Sequence, residues 1–132
     1  MAKLTQEMKD MISTQQCFVG TVSKEGIPNV APKRSTRVLN DETLVFYEVT
    51  GGATYKNLLD GSKVSIAVVN REVLDGYRFV GSVEVQNSGD LYEQAAAMAE
   101  KNNMRKPLAV VLVHIDEIQS LKPGIMAGQK IS

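Results

Sequence analysis

Hydrophobic and polar positions alternate along most of this chain, and the alternating runs are short. Runs of about four to eight residues closed by Gly, Pro, Asn or Asp are typical of β-strands. They predict strands at QCFVGTV, IPNVAPK, RSTRVL, TLVFYEV, KVSIAVV, GYRFVGSVEVQ and PLAVVLVHID. The links SKEG and NDE are polar turns, so we expect the first four strands to form two hairpins. Gly81, inside the sixth run, predicts a bulge or bend.

Three other segments follow a helical period. The first places Leu4, Met8, Met11 and Ile12 on one face. The second begins behind the glycines of TGGATYKNLLDG and ends at Gly61, and the third is DLYEQAAAMAEKNN, where Asp90 and Glu93 have the spacing of a capping box. EIQSLKPG predicts a short edge piece after the seventh strand. This order predicts a mainly β fold with peripheral helices, an antiparallel barrel forming a single domain over 1–132.

Composition narrows the functional classes. Lysine plus arginine and aspartate plus glutamate number 15 each, so the chain has no general attraction to nucleic acid or to an anionic membrane. No window approaches the roughly 20 apolar residues of a membrane span. The charged N-terminus and the lone Cys17 favour a soluble, cytoplasmic protein, and Cys17 itself is expected to be buried and inert. His114, the only histidine, lies in an apolar strand and is expected to be a core or interface residue.

Two segments could hold an anion. Gly51 and Gly52 permit a sharp backbone turn just before a helix, whose unpaired N–H groups suit a phosphate. The spacing matches neither the P-loop nor the dinucleotide fingerprint. In APKRSTR, three basic residues fall within five positions, Lys33, Arg34 and Arg37. Alone, such a cluster is as compatible with solvated charge as with a site, whereas two segments converging at one barrel mouth favour a site.

The elements and motifs follow one another in this order: helix, hairpin, P-x-x-x-P-[KR]-x-[ST], turn, strand, glycine loop, [ST]-x-K-N-L, strand and R-x-x-G strand. This order resembles that of the FMN-binding split-barrel family. This family includes pyridoxamine 5′-phosphate oxidases and smaller FMN-binding proteins, and the likeness covers roughly residues 4–124. The resemblance implies an antiparallel Greek-key split β-barrel, a homodimer, and FMN bound at the subunit interface. The apolar tail with Ile125, Met126 and Ile131 is then expected to close the dimer interface.

The resemblance also implies the residues that meet the cofactor. Phosphate contacts are expected from two segments, and the isoalloxazine ring is expected to lie against the backbone of Tyr47 to Thr50. The candidate FMN-binding residues are Pro32, Lys33, Arg34, Ser35, Tyr47, Val49, Thr50, Gly51, Gly52, Thr54, Tyr55, Lys56 and Asn57. Guanidinium, ammonium and hydroxyl groups form the donor set that a phosphate of charge about −2 requires.

Two departures from the family pattern limit the reactions that this chain is expected to catalyse. Many oxidases of the family carry Ser-Arg-Lys where this chain has Gly52-Ala53-Thr54, and Lys56 would have to supply the charge. Those oxidases also grip the vitamin substrate with Arg-x-His near the C-terminus, whereas LKPGIMAGQKIS has neither residue. We therefore expect a small flavin oxidoreductase or electron carrier without true pyridoxamine-phosphate oxidase activity. The alternatives are a cofactor-free barrel that binds another small phosphorylated ligand, and a haem protein, for which only one histidine is available.

Overall fold

Seven antiparallel strands form one sheet in the computed structural model, which describes residues 2–132. The strands are β1 (Cys17–Val22), β2 (Pro28–Pro32), β3 (Arg37–Asn40), β4 (Thr43–Glu48), β5 (Val64–Asn70), β6 (Asp75–Gln86) and β7 (Ala109–Ser120). Their spatial order is β2-β1-β5-β6-β7-β4-β3. The two predicted hairpins, β1–β2 and β3–β4, are confirmed. The edge strands β2 and β3 do not pair with each other, so the sheet is open rather than closed by hydrogen bonds.

Three helices lie against this sheet, as predicted: α1 (Gln6–Thr14), α2 (Ala53–Leu59) and α3 (Asp90–Lys101). The N-cap of helix α1 is Thr5, whose hydroxyl accepts a hydrogen bond from the Met8 backbone N–H at 3.3 Å. The predicted capping box of α3 is wrong. Its N-cap is Gly89, in the left-handed region at φ 95°. Asp90 and Glu93 lie inside the first turn, where their negative charge interacts favourably with the positive end of the helix dipole.

Most apolar side chains meet on the inner face of the sheet. Helix α1 covers this face with Met8 and Ile12, and the largest fully buried side chains there are Phe46 and Phe79. A smaller cluster lies on the outer face, where α3 packs Tyr92 and Ala95 against β4 and β7. Because β4 and β7 bury side chains on both faces, their sequences must be apolar at nearly every position rather than at every second one. The run LAVVLV meets this requirement in β7.

Gly81 produces the predicted irregularity in β6. The pairing with β7 shifts register between Val80 and Gly81. A Cβ atom added to Gly81 would lie 2.1 Å from the carbonyl oxygen of His114, so only glycine allows the two strands to approach this closely. This register shift is the irregularity expected of a bulge.

The C-terminal tail differs from its prediction. EIQSL contains no separate edge strand, because β7 continues unbroken to Ser120. The tail then folds back, and Lys130 forms a bridge to Gln119, with the Ile131 N–H donating to the Ile118 carbonyl at 2.8 Å. None of the helices formed by residues 2–132 is both long and apolar enough to span a membrane.

Candidate functional site

A pocket of about 420 Å³ lies where the β2–β3 link, the end of β4 and helix α3 meet. The β2–β3 link and β4 contribute predicted site residues to its wall: Pro32, Lys33, Arg34, Ser35, Tyr47, Val49 and Thr50. Helix α3 and the loop after it form the rest of the wall, with Ala95, Met98, Ala99, Met104, Arg105 and Pro107. The volume falls within the range of about 300–1,000 Å³ that is usual for small-molecule sites.

The pocket wall is strongly basic. It contains Arg34, Arg37 and Arg105 in addition to Lys33, and no aspartate or glutamate is among its lining residues. The guanidinium carbon of Arg37 lies 4.5 Å from the centre of the Tyr47 ring, which holds the side chain in place. None of the three arginines forms an ion pair within residues 2–132. The pocket is therefore suited to an anion.

Lys33 differs from the arginines because its charge is already paired. Its Nζ atom lies 2.8 Å from Oε2 of Glu48, a side chain with 0% exposure. The other carboxylate oxygen, Oε1, accepts hydrogen bonds from the Gly51 N–H at 3.2 Å and the Thr50 hydroxyl at 3.4 Å. The pair therefore connects the β2–β3 link to the glycine loop.

Hydroxyl groups fix the β2–β3 link in the same region. The Ser35 hydroxyl oxygen accepts a hydrogen bond from the Tyr47 N–H at 2.9 Å. The Thr36 hydroxyl donates to the Lys33 carbonyl at 2.8 Å and closes the turn. These bonds hold the segment that carries Arg34 and Arg37 against β4, so part of the basic wall is preorganised.

The second predicted segment, around α2, lies largely outside this pocket. Thr54 and Asn57 are buried, and each bonds to a neighbouring strand: Asn29 Nδ2 donates to the Thr54 hydroxyl and Asn57 Nδ2 donates to the Thr21 hydroxyl, both at 3.0 Å. Lys56 is exposed and lines a separate hollow with Lys24 and Asp60. The structure does not bring Lys56 and Arg34 to one pocket, and the cofactor role of the α2 residues stays a prediction.

The glycine loop connects the two segments. Gly51 has φ 72°, a conformation that favours glycine, and Gly52 is the N-cap of α2. Tyr55 is half-buried on α2 and does not line the pocket. The loop borders the pocket through Thr50, while its helix faces β1 and β2.

The contribution of α3 and the loop after it was not predicted from the sequence. Met98 is 54% exposed and Met104 is 67% exposed, and both line the pocket. The available signal was the small-residue stretch AAAMA, which lets another surface approach the helix closely. Nothing local to MRKP indicated that Arg105 would join Arg34 and Arg37.

The remaining reactive side chains do not form a site. Cys17 is buried, and burial raises the pKa of its thiol to about 11, as expected of an inert cysteine. His114 Nε2 lies 3.6 Å from Oε1 of Glu84, and its half-exposed side chain occupies the outer face of β7. No group of three or more metal-ligating side chains occurs in the described part of the chain.

The donor set of the pocket fits a phosphorylated flavin. Guanidinium groups suit the phosphate, and the apolar side chains of Val49, Met98 and Met104 suit a planar ring system. The backbone of Tyr47 to Thr50, predicted to lie along the ring, borders the same pocket.

Comparison with solved structures shows close likenesses. HupZ of Group A Streptococcus is 45% identical, with a TM-score of 0.84, and the match covers 95% of this chain and 99% of HupZ. A candidate pyridoxamine 5′-phosphate oxidase of Lactobacillus delbrueckii is 29% identical, with a TM-score of 0.77 over 88% of this chain and 93% of that one. An FMN-binding protein of Syntrophomonas wolfei shares the fold at 17% identity, with a TM-score of 0.73 over 88% and 84% of the two chains. The open antiparallel sheet is therefore a split β-barrel, as predicted.

Sequence comparison agrees with the structural one. An uncharacterized protein of Methanocaldococcus jannaschii is 33% identical over 134 aligned positions, which cover 98% of this chain and 89% of that protein. The family model described as pyridoxamine 5′-phosphate oxidase matches residues 4–122, nearly the whole chain. This match shows that the chain belongs to the pyridoxamine 5′-phosphate oxidase family.

Proposed function

We propose that this protein is a flavoprotein that binds FMN in the pocket between the β2–β3 link and α3 and works as a small flavin oxidoreductase or electron carrier. The observation that carries the proposal is the lining of this one pocket. Three arginines without ion-pair partners in residues 2–132 face the same space as an apolar wall, and no carboxylate lines it. This arrangement matches a molecule with a planar ring at one end and a phosphate at the other.

Arg34 and Arg37 are the residues we assign to the phosphate. Arg34 lies on the short link between β2 and β3, and Arg37 is the first residue of β3, where the Tyr47 ring orients its side chain. The apolar wall and the Tyr47-to-Thr50 backbone would exclude water from the ring and fix its position. When bound, FMN supplies hydride and single-electron chemistry, and the protein supplies orientation and electrostatics.

We propose that the functional unit is a homodimer. Within residues 2–132, no helix covers the outer face of β1, β2 and β5, which exposes Phe18, Val22, Val30 and Val69. Contiguous apolar surface of this kind is typical of interaction sites. Pro32 at the end of β2 also lines the pocket, so a second subunit on this face would border the flavin. We place the protein in the cytoplasm, where its one free cysteine would stay reduced.

An absorption spectrum tests the cofactor assignment. The purified protein is mixed with FMN or with riboflavin, desalted, and scanned from about 300 to 600 nm. We expect FMN to be retained more strongly than riboflavin because riboflavin lacks the phosphate. Loss of all FMN on desalting would contradict the proposal and favour a cofactor-free module for another phosphorylated ligand.

Three variants test which basic residues bind the phosphate group of FMN. Arg34→Ala and Arg37→Ala should each weaken FMN binding by about 1–3 kcal/mol, the range for a lost charged hydrogen bond, and leave riboflavin binding nearly unchanged. Lys56→Ala is the informative comparison, since Lys56 was predicted as a phosphate residue and lines a different hollow. An equal loss in Lys56→Ala would restore Lys56 to the phosphate site, and unchanged FMN binding in both arginine variants would contradict our assignment.

A further inference from the structure

Glu48 is buried beside the candidate pocket and bonds to two of the segments that form its wall. Its carboxylate oxygen Oε2 lies 2.8 Å from Nζ of Lys33, on the β2–β3 link. The other oxygen, Oε1, accepts hydrogen bonds from the Gly51 N–H at 3.2 Å and the Thr50 hydroxyl at 3.4 Å. Lys33 and Thr50 both line the pocket, whereas Glu48 has 0% exposure. The carboxylate therefore links two parts of the wall without facing the pocket itself.

The main chain of Glu48 is bonded to a third segment of the wall. Its carbonyl accepts a hydrogen bond from the Leu108 N–H at 2.8 Å, at the end of the loop between α3 and β7. The Leu108 side chain also approaches the glycine loop closely, since a Cβ atom added to Gly51 would lie 3.0 Å from its Cδ1 atom. Pro107, one residue earlier, lines the pocket. Glu48 thus joins the three segments that form the pocket.

Stability alone gives little reason for a charged pair at this position. Removing a carboxylate and an ammonium group from water is costly, and apolar residues of similar volume often replace a buried pair without loss of stability. The side chain of Lys33 is only 13% exposed and that of Glu48 is fully buried, so both charges are largely desolvated. Charge-assisted hydrogen bonds do provide direction, which apolar contacts lack. Directed bonds behind a pocket wall are the usual support of a precise binding geometry.

We propose that Glu48 is a positioning residue for the flavin ring. Its carboxylate fixes the spacing between the β2–β3 link and the backbone of Tyr47 to Thr50, along which the ring would lie. This inference rests on the proposed FMN site. The arginines of the pocket would bind the phosphate group, and Glu48 would set where the ring lies relative to that group. Because Glu48 is fully buried, it acts through its bonded neighbours and does not contact the cofactor.

A double variant separates positioning from stability. Lys33→Met/Glu48→Leu removes both charges together and leaves no buried charge unpaired, so its free energy of unfolding should be close to that of the unaltered protein or above it. Riboflavin reports on the ring because it lacks the phosphate. We expect its dissociation constant to rise about tenfold or more in the double variant, since small displacements of positioning groups have large effects. The visible circular dichroism of bound FMN, which reports on the surroundings of the ring, should change as well.

The phosphate contacts should persist in the same double variant. Because Arg34 and Arg37 are unchanged, the ratio of riboflavin to FMN dissociation constants should stay within about threefold of its original value. Lys24→Met/Asp60→Asn is the control. It removes an ion pair with an N–O distance of 3.6 Å that lines a different hollow. This control should leave both dissociation constants and the visible circular dichroism unchanged.

Two results for the double variant would overturn the proposal. One is a stably folded protein with unchanged riboflavin affinity and unchanged visible circular dichroism, which would leave the pair a purely structural role. The other is a collapse of the ratio of riboflavin to FMN dissociation constants, because Lys33 would then be a ligand of the phosphate. Equal effects in the control variant would also contradict a role that is specific to Glu48.

Glu48→Gln decides the question if the double variant does not fold. Its amide oxygen still accepts hydrogen bonds from Gly51 and Thr50, while the bond to the ammonium group of Lys33 is lost. A weaker riboflavin complex with altered visible circular dichroism would support the proposal, and an unaltered complex would overturn it. Unaltered protein that retains neither flavin would overturn this inference together with the proposed function. Retention of FMN without any effect of Glu48 would overturn this inference alone.

Discussion

At the scale of single residues, burial changes what a charge can do. Lys33 has the residue type and position expected of a phosphate ligand, and its side chain borders the pocket. Its ammonium group nevertheless lies 2.8 Å from a fully buried carboxylate. Glu48 must be paired because an isolated buried charge is strongly unfavourable. The primary task of Lys33 in this structure is to neutralise Glu48 and, through it, to hold the Thr50–Gly51 turn.

Replacing Lys33 tests this role in the protein without cofactor. Lys33→Met should lower the free energy of unfolding by about 3–5 kcal/mol, because Glu48 is left buried without its partner. Urea denaturation measures the change. Lys24→Met is the control, since Lys24 forms only an exposed pair with Asp60 and should change stability by less than about 1 kcal/mol. If Lys33 served only to bind phosphate, the two variants would be equally stable.

At the scale of elements, side-chain hydrogen bonds and the close approach of two strands fix how the elements pack on one another. Helix α2 is short and is held to the sheet by the pairs Asn29–Thr54 and Asn57–Thr21. Strand β6 shifts its register with β7 where Gly81 closely approaches the His114 backbone. Neither Gly81 nor Asn57 lines the pocket, so both act on the scaffold around it.

Gly81→Ala should destabilise the fold. The new methyl group would meet the His114 carbonyl oxygen at 2.1 Å, and overpacking of this kind typically costs about 1–3 kcal/mol. Thermal unfolding should therefore occur at a lower temperature. Gly52→Ala is the matched control, because nothing lies within 4 Å of its added Cβ and its φ is −83°. Equal melting temperatures for the two variants would contradict the close approach.

Asn57→Ala tests whether Asn57 serves to anchor helix α2 to the sheet or to bind the cofactor. It leaves the buried Thr21 hydroxyl without its donor, and loss of such a bond costs about 1–3 kcal/mol of stability. Lys56→Ala, at the neighbouring exposed position, should leave stability within about 0.5 kcal/mol. A stable Asn57→Ala protein with weakened FMN binding would instead support the predicted ligand role of Asn57.

At the scale of the whole molecule, part of the outer face of the sheet is apolar and is covered by no helix of the described residues 2–132. Helix α3 covers the outer face at β4 and β7, and the remaining outer face at β1, β2 and β5 is exposed. The tail was expected to close a dimer interface. Its return along β7 is now clear, with Ile125 almost fully exposed, while its place in a dimer stays a prediction.

Val30→Glu tests the proposed dimer. Val30 is 69% exposed on β2, and a charge at the centre of an apolar interface should dissociate the subunits. Light scattering or sedimentation should then report about half the mass of the unaltered protein. Val73→Glu, at a residue with 63% exposure in the β5–β6 turn, should leave the mass unchanged. A monomeric unaltered protein, or a dimer unaffected by Val30→Glu, would exclude this face.

The strands, the helices and the bulge at Gly81 could be predicted from the sequence because each depends on local periodicity and turn residues. The hairpins β1–β2 and β3–β4 followed from links of a few residues. The N-cap of α3 could not be predicted with certainty, since both Gly89 and Asp90 are acceptable caps and only the backbone conformation selects between them. The continuation of β7 to Ser120 depends on its pairing with β6, a contact between distant segments.

By itself, the sequence determined the mainly β class, the order of the elements and the two segments that could hold an anion, because these properties reside in neighbouring residues. Only the tertiary structure decided which charges share a pocket. It joined Arg105 to Arg34 and Arg37, paired Lys33 with Glu48 and turned Asn57 toward Thr21. The physical reason is that electrostatic and hydrogen-bond partners are chosen by distance in space and by burial, and the pairing of strands far apart in sequence sets both.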